Sequence, residues 1–235
     1  MAPMKDQSVG FRATGRKVAI FCGSPRRNGN SRLMAEAFAE GVREAKNEPI
    51  LVHLPDYVRE MLRDCKECRR PDGSCAIDDR FEELLTTIAL PAHGWVYATP
   101  LWWYGVSAYM KTFLDRIFCY MSVASPVSPR LYRELPNKRA AILMSAEESS
   151  LPARLGVFGH LEENCRYLHH DLVGFVVGIG NARGDVKEDP SKPLDHSRDL
   201  GRRMFEIKDK KYFLDTDRVK KLWQEEPPYY PAIWR

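Results

Sequence analysis

Five short apolar runs, each followed by a stretch of helical periodicity, restrict this chain of 235 residues to one kind of architecture. The runs are Lys17 to Gly23 (KVAIFCG), Ile50 to Leu54 (ILVHL), Gly94 to Thr99 (GWVYAT), Ala140 to Ser145 (AAILMS) and Val173 to Ile179 (VGFVVGI). Such alternation marks a parallel sheet with helices on both faces, because parallel strands need crossover connections and those connections cover the sheet. Helices are expected at about Ser31 to Ala45, Asp79 to Ala89, Gly105 to Tyr120 and Ala153 to His169, with a fifth after Pro193. The first run is apolar on both faces, as a central strand must be, so the expected α/β sheet has five strands in the order 2-1-3-4-5. Ligands of such sheets bind beyond the carboxyl ends of the strands, where the first and third diverge. A site is therefore expected at the loops after Gly23 and Thr99.

The first loop is GSPRRNGNS, residues 23 to 31, leading into the helical SRLMAEAFAEGV. Small polar residues at a helix start offer free backbone amides, side-chain donors and the positive end of the helix dipole. Asn30 or Ser31 acting only as a helix cap is the plainer role, but four polar donors with Arg26 and Arg27 in nine residues favour an anionic group such as a phosphate. Two rival motifs fail. A nucleotide-binding loop of the form GxxxxGK[ST] needs Gly at position 28 and a following Lys, and Asn28 stands there. A phosphatase loop needs Arg six positions after Cys22, which is again Asn28, so Cys22 is read as a buried strand residue. A third, GIGNARG at residues 178 to 184, imitates a dinucleotide fingerprint, but Pro190 and Pro193 interrupt the helix it would open. It is read as a turn at the edge of a ligand.

The second loop lies in ATPLWWYGVSAYMKTFLDR, residues 98 to 116. Thr99, Pro100 and Gly105 bracket Leu101, Trp102, Trp103 and Tyr104, and three adjacent aromatics in a loop cannot all enter the core. They suit a packed interface or a platform on which a planar ring system stacks; the neighbouring phosphate cradle favours the platform. Lys111 and Asp115, four apart on the following helix, read as a surface ion pair.

Taken together, GSPRRNGNS and TPLWWYGVSAYMKTFLDR resemble the NADPH-dependent FMN reductases and related flavodoxin-like oxidoreductases, over roughly Lys17 to Gly184. The resemblance implies a flavodoxin-like fold and FMN as cofactor, with NADPH or NADH as reductant. It places the FMN phosphate at Ser24, Arg26, Asn28, Asn30 and Ser31. The flavin ring is placed against Pro100, Leu101, Trp102, Trp103, Tyr104 and Gly105. Ser145 and Ala146, at the end of the fourth run, are further FMN contacts of the same resemblance.

CKECRRPDGSCAIDD, residues 65 to 79, resembles the cysteine segment of iron-sulfur flavoproteins, whose four thiolates hold a cluster. Here Pro71 occupies one ligand position, leaving Cys65, Cys68 and Cys75 as candidate ligands. A fourth would have to come from Cys119, Cys165 or His53. No cluster or other metal is expected; the segment is read as a loop that keeps thiols near the flavin or at a subunit contact. His169, His170 and Asp171 are read as a helix end.

Composition narrows the rest. With 44% hydrophobic and 29% charged residues, the chain has a core's worth of apolar side chains and a solvated surface. Its net charge of +4 is interleaved rather than blocked, so no nucleic-acid partner is expected. No run is long enough to cross a membrane, and none at the amino end suits a signal peptide, which places the protein in the cytoplasm without a membrane partner. One domain is expected over residues 16–208, between an N-terminal arm, 1–15, and a C-terminal extension, 209–235, set at a homodimer contact. Two extra segments, Ser122 to Asn137 and the tail Pro227 to Arg235, read as plain loops or as extensions that close over the flavin or wrap a second subunit. The expected activity is oxidation of NAD(P)H and reduction of a small-molecule acceptor, a quinone, nitro or azo aromatic, flavin or metal ion. The competing reading is an electron carrier of the flavodoxin or iron-sulfur kind. FMN itself carries the redox chemistry, so no catalytic acid or base is named.

Overall fold

The computed structural model describes residues 15–64 and 69–207. The terminal arm up to residue 14, Cys65, Cys68 and the extension from residue 208 lie outside the described residues.

Strands β1 (Lys17–Cys22), β2 (Glu48–His53), β3 (Gly94–Pro100), β4 (Arg139–Ala146) and β5 (Asp171–Ile179) form one parallel sheet in the order β2-β1-β3-β4-β5, as the apolar runs require. β2 starts two residues earlier than its apolar run and includes Pro49, which an edge strand tolerates because one side of it has no hydrogen-bonding neighbour. The helices are α1 (Asn30–Glu44), α2 (an α-helical turn Phe81–Glu83 continued as a π-helix through Leu84–Ala89), α3 (Ala108–Met121), α4 (Ser128–Glu134), α5 (Leu151–Tyr167) and α6 (Pro193–Arg203).

Successive strand residues point to opposite faces, and each face builds its own core. On one, Val18, Ile20 and Cys22 of β1 pack with Val96, Ala98, Ala141 and Leu143 beneath α1 and α6. These two helices cross closely enough that a Cβ on Gly41 would lie 1.9 Å from the Arg198 carbonyl oxygen, and one on Gly201 2.2 Å from that of Phe38. On the other face, Ala19, Phe21, Trp95, Tyr97 and Ile142 pack beneath α2, α3 and α5. Phe21 there meets Trp95 edge-on at 5.2 Å and Phe113 at 4.5 Å, contacts each worth about 0.5–1.5 kcal/mol beyond their buried area.

The segment Ser122 to Asn137 does not close over the strand ends where a ligand is expected. It forms α4, whose Leu131 is buried, and Leu135 just beyond it accepts a hydrogen bond from the His170 ring at the amino end of the sheet. Pro129 sits in the first turn of α4, where a missing amide costs nothing, which is why a proline-bearing loop pattern conceals a helix. His169 and His170 do follow the end of α5, as expected. His170 is also a core residue, edge-on to Trp95 at 5.0 Å. No helix among the described residues is long and apolar enough to cross a membrane.

Candidate functional site

The carboxyl ends of β1, β3 and β4 are held together by buried hydroxyls. Ser107, the N-cap of α3, donates from Oγ to the Gly23 carbonyl at 2.7 Å, and its amide donates to Thr99 Oγ1 at 3.0 Å. Ser31 Oγ and Ser145 Oγ lie 2.8 Å apart, joining the first turn of α1 to the end of β4, while Leu101 N donates to the Ser145 carbonyl at 2.8 Å. A buried hydroxyl left unbonded is costly, so these contacts fix the loops relative to the sheet.

Between the loops lies a cleft of about 220 Å³. Of the residues singled out from the sequence, Ser24, Arg26, Asn30, Ser31, Pro100, Leu101, Trp102, Ser145 and Ala146 line it. Asn28 is exposed and Gly105 half-buried, and neither belongs to the lining. Trp103 and Tyr104 stand beside the cleft and wall an adjoining cavity with Leu101 and Trp102. Ser24 Oγ accepts from the Arg26 amide at 3.2 Å and so helps shape the first loop. Arg27 is turned away, bound to Asp56 at 2.6 Å.

The first residues of α1 do more than cap it. Its N-cap is Gly29, with no side-chain capping bond, so neither Asn30 nor Ser31 has the capping role. Asn30 Nδ2 instead donates to the carbonyls of Gly180 at 3.1 Å and Ala182 at 3.0 Å, and Asn30 Oδ1 accepts from Gly184 N at 2.9 Å. These bonds draw in the segment 180–183, which forms a further wall of the cleft and brings Arg183 to it. Asp185 Oδ2 accepts from the amides of Asn181 and Ala182 and holds that turn closed. GIGNARG is thus a turn at the cleft's edge, as read from the sequence. Glu147 also lines the cleft and was not foreseen; its only sequence signal is its place directly after Ser145 and Ala146.

The aromatic loop is a two-residue reverse turn. Trp102 N donates to Gly105 O and Gly105 N to Trp102 O, both at 3.0 Å, and the central residues Trp103 and Tyr104 are both left-handed, with φ of 46° and 61°. Left-handed side-chain-bearing residues cost about 1–2 kcal/mol each, and such strain gathers at functional sites. Trp103 is 96% exposed, so the turn does not present it to this chain's core. Tyr104 OH donates to Glu148 Oε1 at 3.0 Å, and that carboxylate raises the phenol's pKa.

Cys22 is a core thiol donating weakly to the Ile20 carbonyl, and burial pushes it up to about 11, which removes it as a nucleophile. Lys111 and Asp115 pair on α3 as expected. Cys75 is buried near Arg116 Nη2, at 3.9 Å, and does not line the cleft. Arg116 is bound to Asp79 at 2.8 and 3.0 Å, tying the cysteine-bearing loop to α3. Burial works to raise the Asp79 carboxyl, and its bonds to Arg116 and to two amides outweigh this and hold it below the usual range. No group of three or more metal-ligating side chains occurs among the described residues, to which Cys65 and Cys68 do not belong.

Residues 16–163 match the NADPH-dependent FMN reductase family. A Bacillus subtilis protein named as an NAD(P)H-dependent FMN-containing oxidoreductase, YwqN, is 24% identical over 173 residues, 74% of this chain and 90% of its own. The iron-sulfur flavoprotein MJ1083 of Methanocaldococcus jannaschii is 27% identical over 209 residues, 81% of this chain and 96% of its own. Among solved structures, the NAD(P)H:quinone oxidoreductase of Methanothermobacter marburgensis superimposes with a TM-score of 0.60 at 21% identity, covering 81% of this chain and 96% of that one, a likeness of fold. With the sheet order and both loop motifs in place, the match across 16–163 shows that the chain belongs to the NADPH-dependent FMN reductase family.

Proposed function

We propose that this protein holds FMN in the cleft between the two loops and oxidises NADPH or NADH in a ping-pong cycle. A small acceptor, a quinone, nitro or azo aromatic, free flavin or metal ion, leaves with the electrons. The net change is NAD(P)H plus a proton plus acceptor going to NAD(P)+ plus the acceptor reduced by two electrons. FMN, when bound, supplies the two-electron chemistry. Among the residues singled out from the sequence, Ser24, Arg26, Asn30, Ser31, Ser145 and Ala146 would hold it from the phosphate side, and Pro100 to Trp102 from the ring side.

One observation carries this reading: the Arg26-bearing loop at the start of α1 and the aromatic Trp102 line a single cleft at the carboxyl ends of β1 and β3. The residues fit the group. The amides of Asn30 and Ser31 open α1 and have no acceptor in their own helix, and Arg26 and Arg183 add positive charge at the same end. Trp102 supplies a face for stacking at the other end. The Ser107 and Thr99 bonds hold these walls before any ligand arrives, lowering the ordering cost of binding.

An anaerobic absorption spectrum with FMN tests the reading. Flavin bands that bleach with NADPH or NADH and recover with a quinone are the expected result. Reduction by dithionite alone would make the protein an electron carrier, and absence of flavin binding would overturn the assignment. We also propose a homodimer, supported by the exposed Phe118 and Tyr167 on one apolar patch of α3 and α5. Sedimentation velocity should then give twice the monomer mass.

A further inference from the structure

The cavity beside the cleft has a chemistry of its own. It is an open recess of about 640 Å³ that shares Leu101, Trp102 and Glu147 with the cleft and is completed by Trp103, Tyr104 and Glu148. Its walls are therefore three aromatic side chains, a leucine and two carboxylates, with no lysine, arginine or histidine among them. The aromatics are not placed there by burial, since Trp102, Trp103 and Tyr104 are 41%, 96% and 57% exposed. The turn that displays them is held by its paired Trp102 and Gly105 bonds. On the far side, the Tyr104 hydroxyl is tied to Glu148, and Arg154 donates to the carbonyls of Ser149 and Ser150, which fixes the segment carrying the carboxylates. Among the described residues Arg26 and Arg183 line only the cleft, Glu148 lines only the adjoining recess, and Glu147 borders both, so positive charge gathers at one end of the site and negative charge at the other.

From this we infer that the cavity is the acceptor subsite and that it selects planar aromatic acceptors that are cationic, or neutral, over anionic ones. The inference rests on the FMN reading above, since it gives the acceptor its place next to the ring. The physical basis is additive. An aromatic acceptor stacks on Trp103 or Trp102, a positive substituent gains cation–π attraction from those rings, and the two carboxylates attract it and repel a sulfonate or carboxylate in its place. The volume suits a fused-ring quinone or an azo aromatic, within the range of small-molecule sites.

The test compares two naphthoquinones that differ only in carrying a trimethylammonium or a sulfonate group. Their dissociation constants are read by tryptophan quenching and calorimetry on the oxidised protein, without reductant, both FMN-loaded and FMN-free. The expected result at low salt is tighter binding of the cation by roughly tenfold or more, a gap that narrows as salt screens it. The double substitution Glu147→Gln with Glu148→Gln should narrow the gap at least threefold, and Trp103→Ala should weaken both quinones by loss of stacking, the cationic one more because it also loses the cation–π contact. Glu148→Gln keeps an acceptor for Tyr104 and removes only the charge. Equal or reversed affinities in the unaltered protein, or a gap that the double substitution narrows less than threefold, would overturn the inference. Loss of FMN binding would instead sink the flavin reading, and the charge preference would still be measurable on the FMN-free chain.

Discussion

Asn30 and His170 show how much a single side chain decides. Asn30 makes three hydrogen bonds to a segment some 150 residues away, each worth about 0.5–1.5 kcal/mol, while leaving the capping of its own helix to Gly29. Asn30→Ala should therefore release residues 180–184 and weaken FMN binding roughly tenfold or more in a fluorescence titration, with helix content by circular dichroism unchanged. His170 is buried with Nε2 on the Leu135 carbonyl and Nδ1 unpartnered, and burial, partly offset by that bond, lowers it from 6.5 to about 3. Between those values the unfolded chain takes up a proton that the folded chain refuses. Its contribution is thus unchanged above 6.5, and stability falls as pH drops through the window, at up to about 1.4 kcal/mol per pH unit. His170→Phe should flatten that part of the acid limb in urea titrations run from pH 7 to pH 4; an unchanged slope would rule His170 out as its source.

At the scale of elements, the reverse turn at Trp103 and Tyr104 and the crossing of α1 with α6 respond in opposite ways to substitution. Trp103 is held left-handed and almost fully exposed, so Trp103→Gly should leave stability unchanged or raise it by up to about 1 kcal/mol, where a buried tryptophan would lose several. Gly201 has no room for a methyl group against Phe38 backbone, and Gly201→Ala should cost about 1–3 kcal/mol, visible as a lower urea midpoint. The start of α3 shows where periodicity stops informing. Its apolar pattern reaches back to Gly105, but the helix begins at Ala108, because the paired bonds of Trp102 with Gly105 and the Ser107 cap hold the residues before it out of the helix. α4 was hidden for the converse reason, Pro129 within it and Pro126 and Pro136 on either side imitating a loop.

Across the whole molecule, the buried Arg116 and Asp79 pair joins the cysteine-bearing loop to α3 at almost zero exposure. Removing one partner leaves an uncompensated buried charge, so Arg116→Met should cost about 3–5 kcal/mol, and adding Asp79→Leu should recover a large share in a double-mutant cycle. The sequence by itself determined the sheet, its strand order and the two loops at its switch point, because strand and helix periodicities and the Gly, Ser and Asn content of a phosphate loop act over a few neighbouring residues. Ser24, Arg26, Asn30, Ser31 and the wall from Pro100 to Trp102 were legible for that reason. Only the tertiary structure decided that Asn28 stays outside the cleft, that Gly180 to Arg183 close it through Asn30, and that Glu147 and Glu148 face the aromatic turn. Those placements depend on contacts between segments far apart in the chain, and no local pattern of residues encodes such a distance.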